Sequence, residues 1–212
     1  MKKSSTQSIK DLIGAPLRML LLPDEISRRL GLTSLEDERL GAVIPWLMGR
    51  VLDIGAGTNR LVRGYGNGVG VDVFDHGGNA LILPDTRCLP FPDSSFDTVT
   101  FVASLNHIPE RAATLAEAHR VLRDDGRIVV TMIDPILSGL GHRIWWYSED
   151  KRRGGLQSGE VYGFWPREVR SLLNEAGFDL IGERRFVYGL NRLYVGRKRG
   201  ARDVGSVDVD RP

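Results

Sequence analysis

The chain has 212 residues, a formal net charge of +2, hydrophobic residues at 42 % and charged residues at 26 %. That length can bury a full core in one α/β domain of ordinary size and leaves nothing over for a second large one. So small a net charge argues against bulk binding to nucleic acid, the single Cys88 rules out an internal disulfide, and no apolar run reaches bilayer-spanning length.

Residues 1–48 form a helical segment ahead of the first strand. Lys2 and Lys3 precede a polar stretch, and the apolar cluster Leu17 to Leu22 is interrupted by Arg18 and lacks a small-residue cleavage site. This is not the pattern of a secretory leader, and with one cysteine it points to the reducing cytoplasm. Asp24 to Leu30 is a short amphipathic piece. Ser34-Leu35-Glu36-Asp37 resembles a capping box that opens a helix running through Trp46 to Met48, which Pro45 should end or kink.

Residues 50 to 60 are the most informative stretch. Val51, Leu52 and Ile54 read as a buried strand, Asp53 sits within it, and Gly55-Ala56-Gly57 turns the chain tightly where a Cβ would hold a ligand off. A dinucleotide fingerprint needs a third glycine at position 60, which here is Arg60. The chain from Gly57 to Val69 leaves room for about two helical turns, so a stubby helix is expected. Val69 to Val73 is a second buried strand closing on Asp72, at the place where nucleotide-binding families have an acid that accepts hydrogen bonds from ribose hydroxyls. A third run, Ala80 to Leu83, leads into Asp85-Thr86. Cys88 beside Leu89 reads as a partly buried small residue. Then come Leu89-Pro90-Phe91-Pro92-Asp93-Ser94-Ser95-Phe96-Asp97, a fourth strand to Val102, and a polar turn through Ser104, Asn106 and His107. An amphipathic helix is expected near Pro109 to Leu122, and a turn at Arg123 to Gly126 feeds a fifth strand to Thr131.

Beyond Thr131 the character changes. Residues 134–165 mix Trp145, Trp146, Tyr147, Tyr162, Phe164 and Trp165 with glycines and the basic run Lys151 to Arg153. They suit either an apolar lid or packing on the sheet. Pro166 to Ala176 is an amphipathic helix with proline in its first turn, stopped by Gly177. Phe178 to Val187 and Leu190 to Val195 read as an antiparallel pair, and the polar tail 200–212 is expected to be disordered.

The acid-then-G-x-G loop, the acid after the second strand, Asp85 after the third, the L-P-F-x-D-x-S-F-D run and the closing Glu175-Ala176-Gly177-Phe178 stand in the order found in one family. They resemble the class I S-adenosylmethionine-dependent methyltransferases, and within them the small-molecule group that includes quinone-biosynthesis enzymes. Two positions depart from the pattern: Asn59 stands at the usual third glycine, and Asp125 replaces a glycine before the fifth strand. Asn is the side chain that best tolerates left-handed backbone, so the first departure is mild.

The resemblance implies an α/β fold, a Rossmann-like, seven-stranded, mostly parallel sheet with an antiparallel last strand and helices on both faces. It implies residues 49–199 as the methyltransferase domain, with 134–165 as a substrate-cap insertion and the N-terminal segment lying across the cofactor mouth. There Leu20, Leu21 and Leu22 either face substrate or cover the sheet edge. The cofactor is S-adenosylmethionine, leaving as S-adenosylhomocysteine, and the residues implied to hold it are Asp53, Gly55, Ala56, Gly57, Asn59, Asp72, Val73, Asp85, Thr86 and Ser104. Substrate-binding candidates are Trp145, Trp146, Tyr147 and Tyr162.

In-line methyl displacement needs alignment and a dry site, and a base only when the acceptor must lose a proton. His107 is the best base candidate, a helix cap or plain pocket lining being the alternative. No spaced His/Cys cluster suggests a metal. The expected partner is a small-molecule acceptor. Nucleic-acid methylation is the alternative suggested by Lys151 to Arg153, Arg184-Arg185 and Arg197 to Arg199, but these runs are separated and no base-amino methyltransferase motif follows the fourth strand. A non-catalytic S-adenosylmethionine-binding protein and a Rossmann dehydrogenase complete the alternatives.

Overall fold

The computed structural model describes residues 5–13, 24–133, 135 and 158–200. Its chain order is α1 (Ser5–Ile13), α2 (Asp24–Arg29), α3 (Leu35–Val43), β1 (Val51–Ile54), α4 (Arg60–Tyr65), β2 (Gly68–Asp72), β3 (Leu81–Ile82), β4 (Phe96–Val102), α5 (Arg111–Val121), β5 (Leu122–Ile133), α6 (Pro166–Glu175), β6 (Phe178–Phe186) and β7 (Asn191–Lys198). The strands form one seven-stranded sheet in the order β3-β2-β1-β4-β5-β7-β6. β1 to β5 pair in parallel, and β7 lies antiparallel between β5 and β6, as expected.

Strand alternation explains why helices cover both faces. In β5, Ile128, Val130 and Met132 join one core with Leu115, Ala118 and Val121 of α5 and Val169 and Leu173 of α6. Val129, between them, faces the other way and packs with Val43 of α3, Leu61 of α4, and Leu193 and Val195 of β7. A strand covered on both sides must be apolar at consecutive positions, which is why Val51-Leu52 in β1 and Ile128-Val129-Val130 in β5 are apolar side by side.

Local signals account for most boundaries. Ser34 caps α3, its hydroxyl oxygen accepting from Asp37 N at 3.1 Å and the same hydroxyl donating to Asp37 Oδ2 at 2.7 Å. The helix stops at Val43, earlier than Met48, because Pro45 tightens the next residues into the 3₁₀ turn Ile44–Trp46. Between Gly57 and Val69 the short helix is α4, of six residues. At the fifth strand, extended backbone begins already at Leu122, which pairs with Phe96, and the register shifts before Thr98. The expected turn at Arg123 to Gly126 thus lies inside an irregular strand.

The L-P-F-x-D-x-S-F-D run is a structural strap. Phe91 meets Phe96 edge-on at 5.1 Å, Arg120 of α5 donates to the carbonyls of Phe91 and Leu89 and pairs with Asp93, and Glu117 accepts from Leu89 N at 2.8 Å. Asp97 accepts from Arg50 N at 2.6 Å and pairs with Arg123, so it ties strand ends on the side of the sheet away from the glycine-rich loop. Cys88 is exposed, contrary to expectation, because Leu89 alone turns inward. No helix among the described residues is long and apolar enough to cross a membrane.

Candidate active site

The carboxyl ends of β1, β2 and β4 bring the sequence-derived residues together. Gly55 N and Ala56 N donate to Val71 O at 2.9 and 3.0 Å, which folds the loop back over β2. Gly55 has φ +74°, and a Cβ there would collide with the Ser104 side chain. Ser104, buried in the turn after β4, donates to Ile54 O at 2.6 Å. Gly57 has φ +52°, and among the described residues nothing lies within 4 Å of where its Cβ would be. One glycine therefore serves packing and the other leaves open space. Asn59 has φ 56°, the left-handed geometry that its place in the loop required, and its amide donates to Asn79 O at 3.2 Å. Its Oδ1 is buried without a hydrogen-bond partner.

Two acids flank the open glycine. Asp72 is 7 % exposed, its Oδ2 accepting from Gly57 N at 2.7 Å and its Oδ1 from Phe74 N at 3.0 Å, with His76 Nε2 at 3.7 Å. Asp53, one strand over in the parallel pair β1/β2, is fully buried and accepts from Thr100 Oγ1 at 2.6 Å. Burial pushes its carboxyl up to about 7, the Thr100 hydroxyl opposes that, and the neighbouring Asp72 adds to it. Open space at Gly57 beside these carboxylates fits a ligand with ribose hydroxyls and a cationic centre.

The raised Asp53 has a measurable signature. Folded protein holds this proton where the unfolded chain has released it, so its contribution to stability is full below its ordinary value of 3.8 and is lost as pH climbs to about 7. The loss runs at about 1.4 kcal/mol per pH unit within that window. Asp53→Asn is expected to remove this fall. Urea unfolding of parent and variant from pH 4 to 8 checks it, and parallel curves would rule it out.

The remaining expected residues are spread along the rim. Val73 is exposed just past Asp72. Asp85 is gripped by Arg87, whose Nε lies 3.0 and 2.9 Å from its two oxygens, and the guanidinium holds its carboxyl below the ordinary value. A ligand amino group at Asp85 must share it with Arg87. Thr86 is turned inward, its hydroxyl 2.9 Å from that of Thr114. Tyr162 is 41 % exposed. It follows Val161, whose N donates to Asn106 O at 3.0 Å while Asn106 Nδ2 donates to Val161 O at 3.3 Å. Trp145, Trp146, Tyr147, Leu20, Leu21, Leu22 and the basic run at 151–153 lie outside the described residues.

Several contributors carried no sequence signal. Thr100 reads as an ordinary strand residue until the register sets it beside Asp53. Arg60, at the place of a dinucleotide glycine, pairs with Glu36 and, at 2.7 Å, with Asp37, and Thr58 donates to Glu36 at 3.4 Å. Farther along α3, Arg39 reaches Asn191 at the start of β7, with Nε 3.4 Å from Oδ1. The helix α3 is thereby pinned from the glycine-rich loop to the far strand. Glu160, an isolated acid in a loop, carries no sequence signal either. Among the described residues no group of three or more His, Cys, Asp or Glu could hold a metal ion.

Comparison with known proteins agrees with this geometry. A family profile described as "Methyltransferase domain" matches residues 52–130. The demethylmenaquinone methyltransferase of Beutenbergia cavernae is 30 % identical over 177 residues, covering 70 % of this chain and 73 % of its own. The ubiquinone/menaquinone biosynthesis C-methyltransferase UbiE of Citrifermentans bemidjiense is 30 % identical over 123 residues, and the match spans about half of each protein, 52 %. Among solved structures, the 1,6-didemethyltoxoflavin-N1-methyltransferase of Burkholderia thailandensis, holding S-adenosylhomocysteine, superposes with a TM-score of 0.55 at 18 % identity, covering 94 % of this chain and 92 % of its own. The chain belongs to the class I S-adenosylmethionine-dependent methyltransferases, and S-adenosylmethionine is its cofactor. Within that class it is of the quinone-biosynthesis-like type.

Proposed function

We propose that this chain methylates a ring carbon of a small, electron-rich acceptor of the quinol type. The observation that carries the reading is the packing of Ser104 on Gly55, which ties the His107 turn to the cofactor loop. The names of the quinone-methylating relatives supply the acceptor chemistry.

S-adenosylmethionine bound at the loop supplies an activated sulfonium methyl group. Asp72 accepts the ribose hydroxyls, since each carboxylate oxygen that already takes one backbone N–H has a further lone pair. Gly57 leaves room for the ligand, and Asp53 offers a carboxyl that ionises readily when a cation approaches. His107 takes the proton of the acceptor hydroxyl, which raises the electron density at the neighbouring ring carbon. Tyr162, next in the chain to the Val161 that bonds Asn106, contributes to the apolar cover that keeps the site dry.

The test supplies methyl-labelled S-adenosylmethionine and a short-chain, reduced demethylmenaquinone analogue under anaerobic conditions. Label on the ring carbon, with saturation in both substrates, is the expected result. Transfer only to the nitrogen of a flat heterocycle offered in parallel would replace the acceptor class. Saturable S-adenosylhomocysteine binding with no transfer to either would make the chain a cofactor-binding protein without catalysis.

A further inference from the structure

The geometry points to Glu160 as the positioning residue for His107: we propose that its carboxylate holds the imidazole with Nδ1 protonated, leaving Nε2 to take a proton from the acceptor. This rests on the proton-accepting role of His107 proposed above.

Glu160 is an acid in a loop, yet its side chain is only 2 % exposed, and Oε2 lies 3.8 Å from His107 Nδ1. An acidic side chain is rarely removed from water to that extent without a charged or hydrogen-bonding purpose. Its place is built from both sides. Val161 and Asn106 exchange two hydrogen bonds, Arg111 Nη2 donates to Gly159 O at 2.5 Å, and the Arg111 guanidinium lies 5.1 Å over the Phe164 ring. Gly159 has φ +89° and sits so close to Pro109 that a Cβ would come within 2.8 Å of the proline Cβ. Thus the segment on one side of Glu160 admits only glycine, and that on the other is locked to the residue next to His107.

The imidazole lies beside Glu160 and is partly exposed. The backbone N of His107 donates to Ser104 O at 2.9 Å, which fixes the turn, and the side chain is 28 % exposed with Nδ1 on the edge toward Glu160. A base oriented by a buried acid through its other nitrogen recurs in nucleophile and base pairs on unrelated folds. The separation exceeds a hydrogen bond, and contacts of this kind tighten when the complex forms. Among the described residues, the charged groups on the elements around the turn are Glu160, Glu110 and Arg111. Glu110 is exposed, and Arg111 is committed to the Gly159 carbonyl and Phe164.

The step is a proton transfer. The acceptor's O–H bond breaks, its electron pair stays on the acceptor oxygen, and the proton joins Nε2 to give an imidazolium whose charge Glu160 balances. The proton then passes to solvent water.

Long-range ¹H–¹⁵N spectra of the histidine rings test this on the free protein, without an acceptor. In the parent, neutral His107 is expected as the Nδ1–H tautomer, and in Glu160→Gln its titration midpoint is expected to fall by about one pH unit. A parent His107 that is predominantly Nε2–H overturns the proposal, and so does an unchanged midpoint in folded Glu160→Gln. The parent tautomer decides the matter if the variant does not fold. Calorimetry with S-adenosylhomocysteine separates the two readings: loss of binding in the parent counts against the function proposed above, whereas the spectra answer for Glu160 alone. With a working acceptor, Glu160→Gln should lower kcat about tenfold with KM within twofold, and add nothing to a His107→Ala background. A change confined to KM would contradict the role.

Discussion

Asp72→Ala is expected to weaken S-adenosylhomocysteine binding at least about a hundredfold, through loss of two charge-assisted hydrogen bonds worth on the order of 3 kcal/mol together. The fold should survive, but at a cost. Asp72 accepts from Gly57 N at 2.7 Å and from Phe74 N at 3.0 Å, and both donors lose their acceptor. A fall in melting temperature of several degrees is therefore expected alongside the binding loss, at about 2–4 °C per kcal/mol for a chain of this size. Asp72→Asn separates the two effects, because its amide oxygen still serves one of the N–H donors while the charge is gone. It should keep more of the stability than Asp72→Ala and still bind poorly. The variants also relieve Asp53, part of whose upward displacement comes from the Asp72 charge, so its titration should move down. Calorimetry and thermal unfolding measure all of this. If folded Asp72→Ala binds the product as tightly as the parent, the ribose assignment is wrong.

The fold was legible in the sequence because each of its parts rests on a local rule. A run with an acid inside it became β1 and one closing on an acid became β2, the glycine spacing limited α4 to six residues, and Gly177 at φ +85° ends the last helix before β6. Asn59 shows the same logic, since the residue that departs from the glycine pattern adopts the left-handed backbone its place requires. Of the site, the loop residues and Asp72 were legible for the same reason, their chemistry being adjacent in sequence. What could not be read depends on distance along the chain. Thr100 meets Asp53 through strand register 47 residues apart, and Arg60 meets Glu36 and Asp37 across 24 and 23. Glu160 meets His107 only because the segment before α6 returns over the β4 turn. The L-P-F-x-D-x-S-F-D run was recognised as a pattern, but its purpose, a strap fastened by Arg120 and Glu117, appears only when α5 is packed against it. At Asp85 the sequence position points to a ligand contact, and the structure adds a neighbour two residues on, Arg87, that pairs with the same carboxylate.

The two glycines of the glycine-rich loop are expected to fail in different ways. Gly55 at φ +74° faces Ser104 so closely that a Cβ overlaps its side chain, and Ser104 cannot retreat without releasing the Ile54 carbonyl it bonds at 2.6 Å. Gly55→Ala thus combines left-handed strain of about 1–2 kcal/mol with overpacking of about 1–3 kcal/mol. A drop in melting temperature near 10 °C is expected, together with loss of cofactor binding. Gly57 at φ +52° has nothing among the described residues within 4 Å of its would-be Cβ, so Gly57→Ala carries the strain alone and should lower the melting temperature by only a few degrees. Its methyl nevertheless projects into the space assigned to the cofactor, and binding should fall at least about tenfold, as the loss of about 1.4 kcal/mol implies. The contrast is what matters: a large stability loss at one glycine, and a binding loss out of proportion to stability at the other. Gly57→Ala with parent affinity would mean that the open face of the loop is not where the ligand lies. An undiminished melting temperature in Gly55→Ala would mean that the β4 turn, and His107 with it, is not packed on the loop.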